Sequence, residues 1–246
     1  MTNSFKIRGA LNKVFSLSEN QLKNGIVVTS SGNHAIAAAY AAKLRGAKTI
    51  AILRDSSPEY KRNIVRELCT EVIFSPNGEE VKKAKEYVET VGCEYIHSHD
   101  DIDIINGQGT VGLEIIKEEP SIDKIVVPMG GGGLVAGLSA VVKLVKPDIQ
   151  VYGCEPSVIN CFTKSIECGK PVQVEDHYSV ADALLPLKPG EIAFPIIQKY
   201  LDKVLAVNEE NIAKGSFLLL TTGKILAEIS SAIVIGAAIQ AGKYFS

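Results

Sequence analysis

Apolar residues along this chain follow two spacings. Short β-branched runs lie at Ile26–Thr29, Thr49–Leu53, Val72–Phe74, Tyr95–His97, Lys124–Val127, Gln150–Cys154 and Val204–Val207. Between them, Asn33–Leu44, Pro58–Thr70, Glu79–Thr90, Asn106–Lys117, Leu134–Val145 and Glu210–Leu220 carry apolar residues at helical spacing. Strands alternating with crossover helices predict βα units feeding a parallel sheet, a doubly wound α/β architecture. Gly169–Gly190, rich in Pro and Gly and without periodicity, predicts a long ordered loop. No internal repeat or low-complexity tract appears, and periodicity alone marks no domain boundary.

Composition narrows the partners. The 246 residues are 46% hydrophobic with a net charge of -2, enough for a large core and without the basic excess that nucleic acid or an anionic membrane surface requires. Small molecules are the expected partners. No run approaches the roughly 18 apolar residues of a membrane span, and the first residues lead straight into patterned sequence, so the chain reads as cytoplasmic. Five cysteines with no Cys-x-x-Cys pair argue against a disulfide framework or a structural zinc site and for reduced, mostly buried thiols.

Two loops carry candidate chemistry. The strand ending at Met129 runs through Gly130-Gly131-Gly132-Gly133 into the helix starting at Leu134. Without Cβ atoms, such a turn lets several backbone N–H groups face one anion at a helix N-terminus, which suits a phosphate. The alternative is a tight turn with no ligand, although four glycines exceed what a turn needs. Gly131-x-Gly133-x-x-Ala136 also satisfies the dinucleotide fingerprint, with Glu155 placed as a ribose-binding acid, so a nicotinamide-dependent oxidoreductase stays open. Ser30-Ser31-Gly32-Asn33-His34 follows a strand and opens a helix, bringing hydroxyls, an amide and free backbone donors to one terminus. An N-cap role for Ser31 or Asn33 is the structural alternative. Ser4-Phe5-Lys6-Ile7-Arg8-Gly9-Ala10, taken alone, reads as the start of an amphipathic helix with Lys6 as a solvated charge.

Taken together in this order, the lysine segment, the serine loop and the tetraglycine loop resemble the fold-type II pyridoxal-phosphate (PLP) enzymes, in the serine/threonine dehydratase and serine racemase branch. The resemblance continues through Asn106-Gly107-Gln108-Gly109-Thr110, Gly153-Cys154-Glu155-Pro156-Ser157, Val180-Ala181-Asp182-Ala183-Leu184 and Glu228-Ile229-Ser230-Ser231-Ala232, and so covers essentially the whole chain. It implies an α/β, tryptophan synthase β-like fold with a large parallel-sheet domain (1–24 and 103–246), a small one (25–102), and the cofactor in the cleft between them. It further implies Lys6 as the Schiff-base lysine, Phe5 packed on the cofactor ring, Asn33 at the ring hydroxyl, His99 near the cofactor, and Gly130, Gly131, Gly132, Gly133 and Leu134 around the phosphate. Ser31 matches the racemase branch's second acid/base residue, and Ser30, Ser31, Gly32 and Asn33 are expected to hold the substrate carboxylate. The expected activity is deamination of L-serine or L-threonine to a 2-oxo acid and ammonia, with serine racemisation as a second outcome, in a homodimer.

The sequence also departs from that pattern. The N-terminal elements that precede the lysine motif in the family, and its Ser-Gly-Gly-Asn-like segment near the end, have no counterpart, so a truncated, impaired or inactive relative that still binds PLP is the alternative expectation. Ala183 stands where the family usually has glycine, and Ile229-Ser230-Ser231 replaces a Pro-Ser-Gly-like turn. His99 replaces an asparagine of the racemase branch. The branch's divalent cation, Mg²⁺ or Ca²⁺, maps to Glu155 and the carbonyl of Ile159, but Cys161 stands where the aspartate ligand would be, and a thiol suits a hard cation poorly. His34, His97 and His177 lack partners at ligand spacing and read as structural or surface residues.

Overall fold

A computed structural model describes residues 2–242 of the chain. Two compact units, Met1–Gln108 and Gly109–Ser246, divide it.

The first unit holds a parallel sheet of β1 (Ile26–Val28), β2 (Thr49–Arg54), β3 (Glu71–Ser75) and β4 (Glu94–Tyr95) in the order β3-β2-β1-β4. Its helices are α1 (Lys6–Ser16), α2 (Glu19–Leu22), α3 (Asn33–Leu44), α4 (Glu59–Leu68) and α5 (Glu80–Val91), and α6 (Ile102–Glu118) begins in it. Side chains alternate across β1, and both faces are covered: Ile26 and Val28 pack with Ala10, Val14 and the α3 alanines, while Val27 packs with Ala84 and Cys93. Helix α3 buries Ala35, Ala37, Ala38, Ala39, Ala41 and Ala42, apolar on nearly every side, because it is sandwiched between the sheet and α1. Arg45, at its C-terminal end, donates to the carbonyls of Val14, Phe15 and Leu17 at 3.2–3.4 Å and so satisfies the frayed end of α1.

The first turns of α6 touch α1 backbone to backbone. A Cβ on Gly107 would lie 2.5 Å from the Cα of Gly9 and 2.6 Å from the carbonyl oxygen of Arg8. A Cβ on Gly9 would in turn lie 2.7 Å from the carbonyl oxygen of Ile104. Asp101 caps α6 by accepting the backbone N–H groups of Asp103 and Ile104, and also pairs with Lys13 of α1 at 2.9 Å.

The second unit contains the parallel sheet β5 (Lys124–Pro128), β6 (Gln150–Pro156) and β7 (Lys203–Val207) in that order, with α7 (Gly133–Val145), α8 (Cys161–Cys168), α9 (Ala193–Tyr200), α10 (Glu209–Thr221) and α11 (Ile229–Gln240). Tyr152, Cys154, Leu205 and Val207 pack against Ile212, Ile233 and Ala237 of α10 and α11.

All seven expected strands form, and the α/β class with parallel sheets holds. The strands make two sheets, however, where periodicity alone suggested a single doubly wound one, because short strands of the two units look alike in sequence. Helices α2, α8, α9 and α11 went unread: the first three are only one or two turns long, and α11 is apolar almost throughout, which hides its helical period. No regular element interrupts residues 170–190, as expected. The five cysteines are free, three of them buried. Among the described residues no helix is long and apolar enough to cross a membrane.

The contact between Gly9 and Gly107 leads to a first prediction. Gly107→Ala forces α1 and α6 apart and should destabilise the protein by about 1–3 kcal/mol, read as a lowered denaturant midpoint; an unchanged midpoint would show that the helices do not meet as described.

Candidate active site

Lys6 opens α1. Its amine donates to the carbonyl of Ser98 at 2.6 Å and lies 5.4 Å from the centre of the Phe5 ring. Desolvation lowers its pKa from 10.5 to about 8. At neutral pH about one amine in ten is then uncharged, against fewer than about one in a thousand for a solvated lysine.

Three histidines surround this amine, and burial pushes the pKa of each down. His34 donates through Nε2 to the Ile96 carbonyl at 2.8 Å and its pKa is lowered to about 3. His97 accepts the backbone N–H groups of Asp100 at 2.8 Å and His99 at 3.3 Å on Nδ1. His99 bonds the Ser98 hydroxyl at 2.9 Å and packs edge-on to His97, ring centres 4.6 Å apart. His34 is structural, as the sequence suggested, and His177 is exposed. Of the two readings for His97 the structural one holds, since it is half-buried and its Nδ1 accepts two backbone N–H groups. Nothing in its sequence spacing signalled this, because its partners are backbone groups.

The serine loop follows β1 at the C-terminal edge of the same sheet, beside β4, whose chain continues into that turn. Gly32, not Ser31 or Asn33, occupies the N-cap of α3, and no side chain caps the helix. The expected N-cap role therefore fails. Ser30 Oγ accepts the Gly32 N–H at 3.2 Å, which folds the loop on itself, and nothing lies within 4 Å of where a Gly32 Cβ would be. The loop thus presents the start of α3 to open space.

In the second unit the tetraglycine loop joins β5 to α7. Gly132 has φ +98° and is the N-cap of α7, again without a side-chain cap. A Cβ there would meet Phe162 at 2.7 Å and Ile197 at 3.0 Å. A Cβ on Gly130 would lie 3.2 Å from the Ala183 carbonyl oxygen. Packing and backbone conformation therefore demand glycine at 132, whereas a Cβ at 130 would need only a small shift of its neighbours. What packing does not use is the set of first-turn donors of α7, starting at Gly133 and Leu134, which no side chain caps. Ala183 N–H donates to Ser230 Oγ at 2.9 Å, the serine that the Ile229-Ser230-Ser231 turn shares with the family's Pro-Ser-Gly, and this bond anchors the segment whose Ala183 carbonyl lies against Gly130.

Glu155, at the end of β6, is 1% exposed. One carboxylate oxygen accepts the Phe162 N–H at 2.9 Å; the other accepts the Thr163 N–H at 2.8 Å and its hydroxyl at 2.6 Å. Burial raises its pKa, and those three donors offset that rise only in part. Cys161, whose thiol donates to the Pro186 carbonyl at 3.5 Å, is pushed up to about 12 by burial.

A family described as "Pyridoxal-phosphate dependent enzyme" matches residues 1–245. The chain is 37% identical over 241 residues to an L-threonine ammonia-lyase of Thermotoga maritima, covering 97% of this chain and 60% of that one. To a serine racemase of Oryza sativa subsp. indica it is 33% identical, covering 96% and 70%. The solved structure of maize serine racemase superposes with a TM-score of 0.95 at 32% identity, covering 100% of this chain and 75% of the other. The chain thus spans about three fifths of the length of the threonine ammonia-lyases it matches.

The nicotinamide reading finds no support in these matches, and Glu155 is not available to a ribose, since both its oxygens are spent on the start of α8. The same observation bears on the expected cation. Glu155 has no free oxygen to offer, Ile159 is buried, and a thiol held neutral stands in the third position; these residues do not fit Mg²⁺ or Ca²⁺. Among the described residues no cluster of three or more His, Cys, Asp or Glu could hold a metal ion. Glu155→Gln should cost about 1–3 kcal/mol of stability, because an amide nitrogen would face a backbone donor. Adding Mg²⁺, Ca²⁺ or a chelator to the wild type should leave its melting temperature unmoved, and a rise on adding either cation would overturn this account of Glu155.

Proposed function

The chain belongs to the pyridoxal-phosphate dependent enzyme family, and we propose that it is a lyase converting L-serine or L-threonine to a 2-oxo acid and ammonia, with serine racemisation as a second outcome. The observation that carries this reading is the Lys6 amine: desolvated, largely shielded from water, and beside the Phe5 ring. Pyridoxal phosphate, when bound, links covalently to a lysine amine, then to the substrate's amine, and withdraws electrons from the substrate α-carbon.

The chain's residues fit that cofactor. Lys6 has the lowered pKa needed both to attack a carbonyl and, once released, to take the α-proton at Nζ. The uncapped N-terminus of α7 at Gly130–Gly133 and Leu134 offers backbone donors to a phosphate, while Phe5, Asn33 and His99 are assigned to the ring by family resemblance. The uncapped start of α3, with Ser30, Ser31, Gly32 and Asn33, offers its donors to the substrate carboxylate. Ser31 Oγ is the proposed donor of the proton that inverts the α-carbon. The domain division at residues 25 and 102 and a homodimeric assembly belong to the same reading and rest on the resemblance, while a cytoplasmic setting rests on the sequence pattern, with its lack of a span-length apolar run. A small hydroxy amino acid as partner follows from the same resemblance, and the net charge of -2 supplies no basic excess to attract a nucleic acid or anionic membrane surface.

Lys6 supplies the first test. Covalent uptake of PLP, followed by its visible absorbance band, should rise with pH with a midpoint near 8, since Lys6 is protonated and unreactive below that value and neutral above it. Lys6→Ala should abolish the band, its trapping by borohydride and turnover together; an adduct trapped on another lysine would sink the assignment.

Ser31 supplies the second. Because Gly32 holds the cap position, Ser31→Ala should leave the melting temperature within about 2 °C of the wild type. It should abolish interconversion of serine enantiomers while L-threonine deamination remains measurable. Parallel loss of both reactions would refute the proton-donor role.

A further inference from the structure

Lys6 needs an acceptor that is itself held in place, and the acceptor it has is a main-chain carbonyl in an irregular segment. Residues 96–101 connect β4 to α6 with no ladder of their own, so something other than secondary structure must fix the Ser98 carbonyl. Among the described residues two side chains do so. His34 bonds the Ile96 carbonyl from below. His97 turns its Nδ1 onto the two N–H groups that follow Ser98, those of His99 at 3.3 Å and Asp100 at 2.8 Å. A side-chain acceptor bridging the backbone donors two and three residues ahead is the arrangement that Asn and Asp make in an Asx-turn, with an imidazole nitrogen in place of the amide oxygen.

This bonding has two consequences. Accepting twice on Nδ1 places the ring proton on Nε2 and keeps the imidazole neutral, so no second positive charge faces the Lys6 amine. Closing the turn through residue 97 also turns the Ser98 carbonyl back toward Lys6, where the amine meets it at 2.6 Å. The ring is braced on both sides, edge-on to Tyr95 with centres 5.6 Å apart and to His99 with centres 4.6 Å apart. Tyr95 in turn bonds Thr29 at 2.8 Å, the residue that leads into the serine loop. The titratable and charged groups facing His97 are Lys6, His34, His99, Asp100, Asp101 and Lys85.

We propose that His97 is a positioning residue: by closing the 97–100 turn through Nδ1, it aims the Ser98 carbonyl at the Lys6 amine and so keeps that amine in place and dry while it is free. The inference deepens the lyase reading above and rests on it for its catalytic meaning, but the turn itself does not. His97 touches no reacting atom in this account.

The chemistry suggests a discriminating pair of substitutions. Asn carries its amide oxygen at the same number of bonds from Cβ as His carries Nδ1, whereas Gln carries its oxygen one bond further out, where Nε2 would be. His97→Asn should therefore rescue the turn and His97→Gln should not, although both side chains are neutral amides. In the full-length chain, amide hydrogen exchange at His99 and Asp100 should stay slow in H97N and speed up about tenfold or more in H97Q. The Lys6 amine, followed by NMR of ε-labelled lysine, should titrate near 8 in the wild type and H97N and move toward the ordinary lysine value in H97Q as water reaches it. The rate of PLP capture at pH 7 should fall about tenfold in H97Q and by less than about twofold in H97N. If H97Q does not fold, H97A takes its place in the same comparison.

Equal behaviour of the Asn variant and the Gln or Ala variant, in either direction, would overturn the proposal, because a role in bulk packing alone does not distinguish the two acceptor positions. Changed exchange at His99 and Asp100 with an unchanged Lys6 titration would overturn it as well, leaving His97 as a turn residue without influence on the amine. A wild type whose Lys6 titrates near 8 and follows the Asn and Gln pattern, yet forms no visible band with PLP, would support the positioning role while the lyase reading fails.

Discussion

An amine taken out of water must either lose its proton or find acceptors that replace the solvent, because the charged form is expensive to bury. The first unit is organised around Lys6 meeting both conditions in part. Its pKa falls to about 8, and one carbonyl, that of Ser98, receives it. For that meeting to occur, α1 has to lie flat against α6, and it does so because Gly9 and Gly107 remove the side chains that would hold the helices apart. The alanine-rich α3 then fills the space between α1 and the sheet with the smallest side chains that still exclude water. Helix contact, sheet edge and histidine turn are separate features in sequence, yet all three lie around one nitrogen.

In the second unit and at the serine loop, three helix N-termini meet their unsatisfied donors differently. The start of α8 is filled from within, by the Glu155 carboxylate. The starts of α3 and α7 receive no side-chain cap, although both follow strands in loops rich in glycine or serine. The missing cap is not peculiar to them, since α1, α4, α5, α9 and α11 have none either; what sets the starts of α3 and α7 apart is the serine and glycine loops before them, where backbone donors could meet the carboxylate and the phosphate that the lyase reading requires.

Much of this was legible in the chain. The strand and helix periods located all seven strands and the six main crossover helices, and the glycine and serine loops stand out because they interrupt strong patterns. The division into two sheets was not legible from periodicity, since strand length and composition are the same in both. His97 and Ser98 escaped notice because each acts through or upon the main chain, where residue identity leaves little trace. Glu155 was misread for the opposite reason: an acid after a strand fits a ribose-binding fingerprint and a cation site equally well, and only burial among three donors shows that its charge is already committed.

The lysine and the carbonyl that receives it are 92 positions apart along the chain. During synthesis, then, Lys6 leaves the ribosome as an ordinary solvated ammonium, and it stays one until Ser98 and the first turns of α6 have followed and folded back over it. A nascent or unfolded chain therefore carries no unusually reactive amine that could trap cellular aldehydes. Nucleophilicity arrives with the tertiary structure, and partial unfolding of the first unit removes it again.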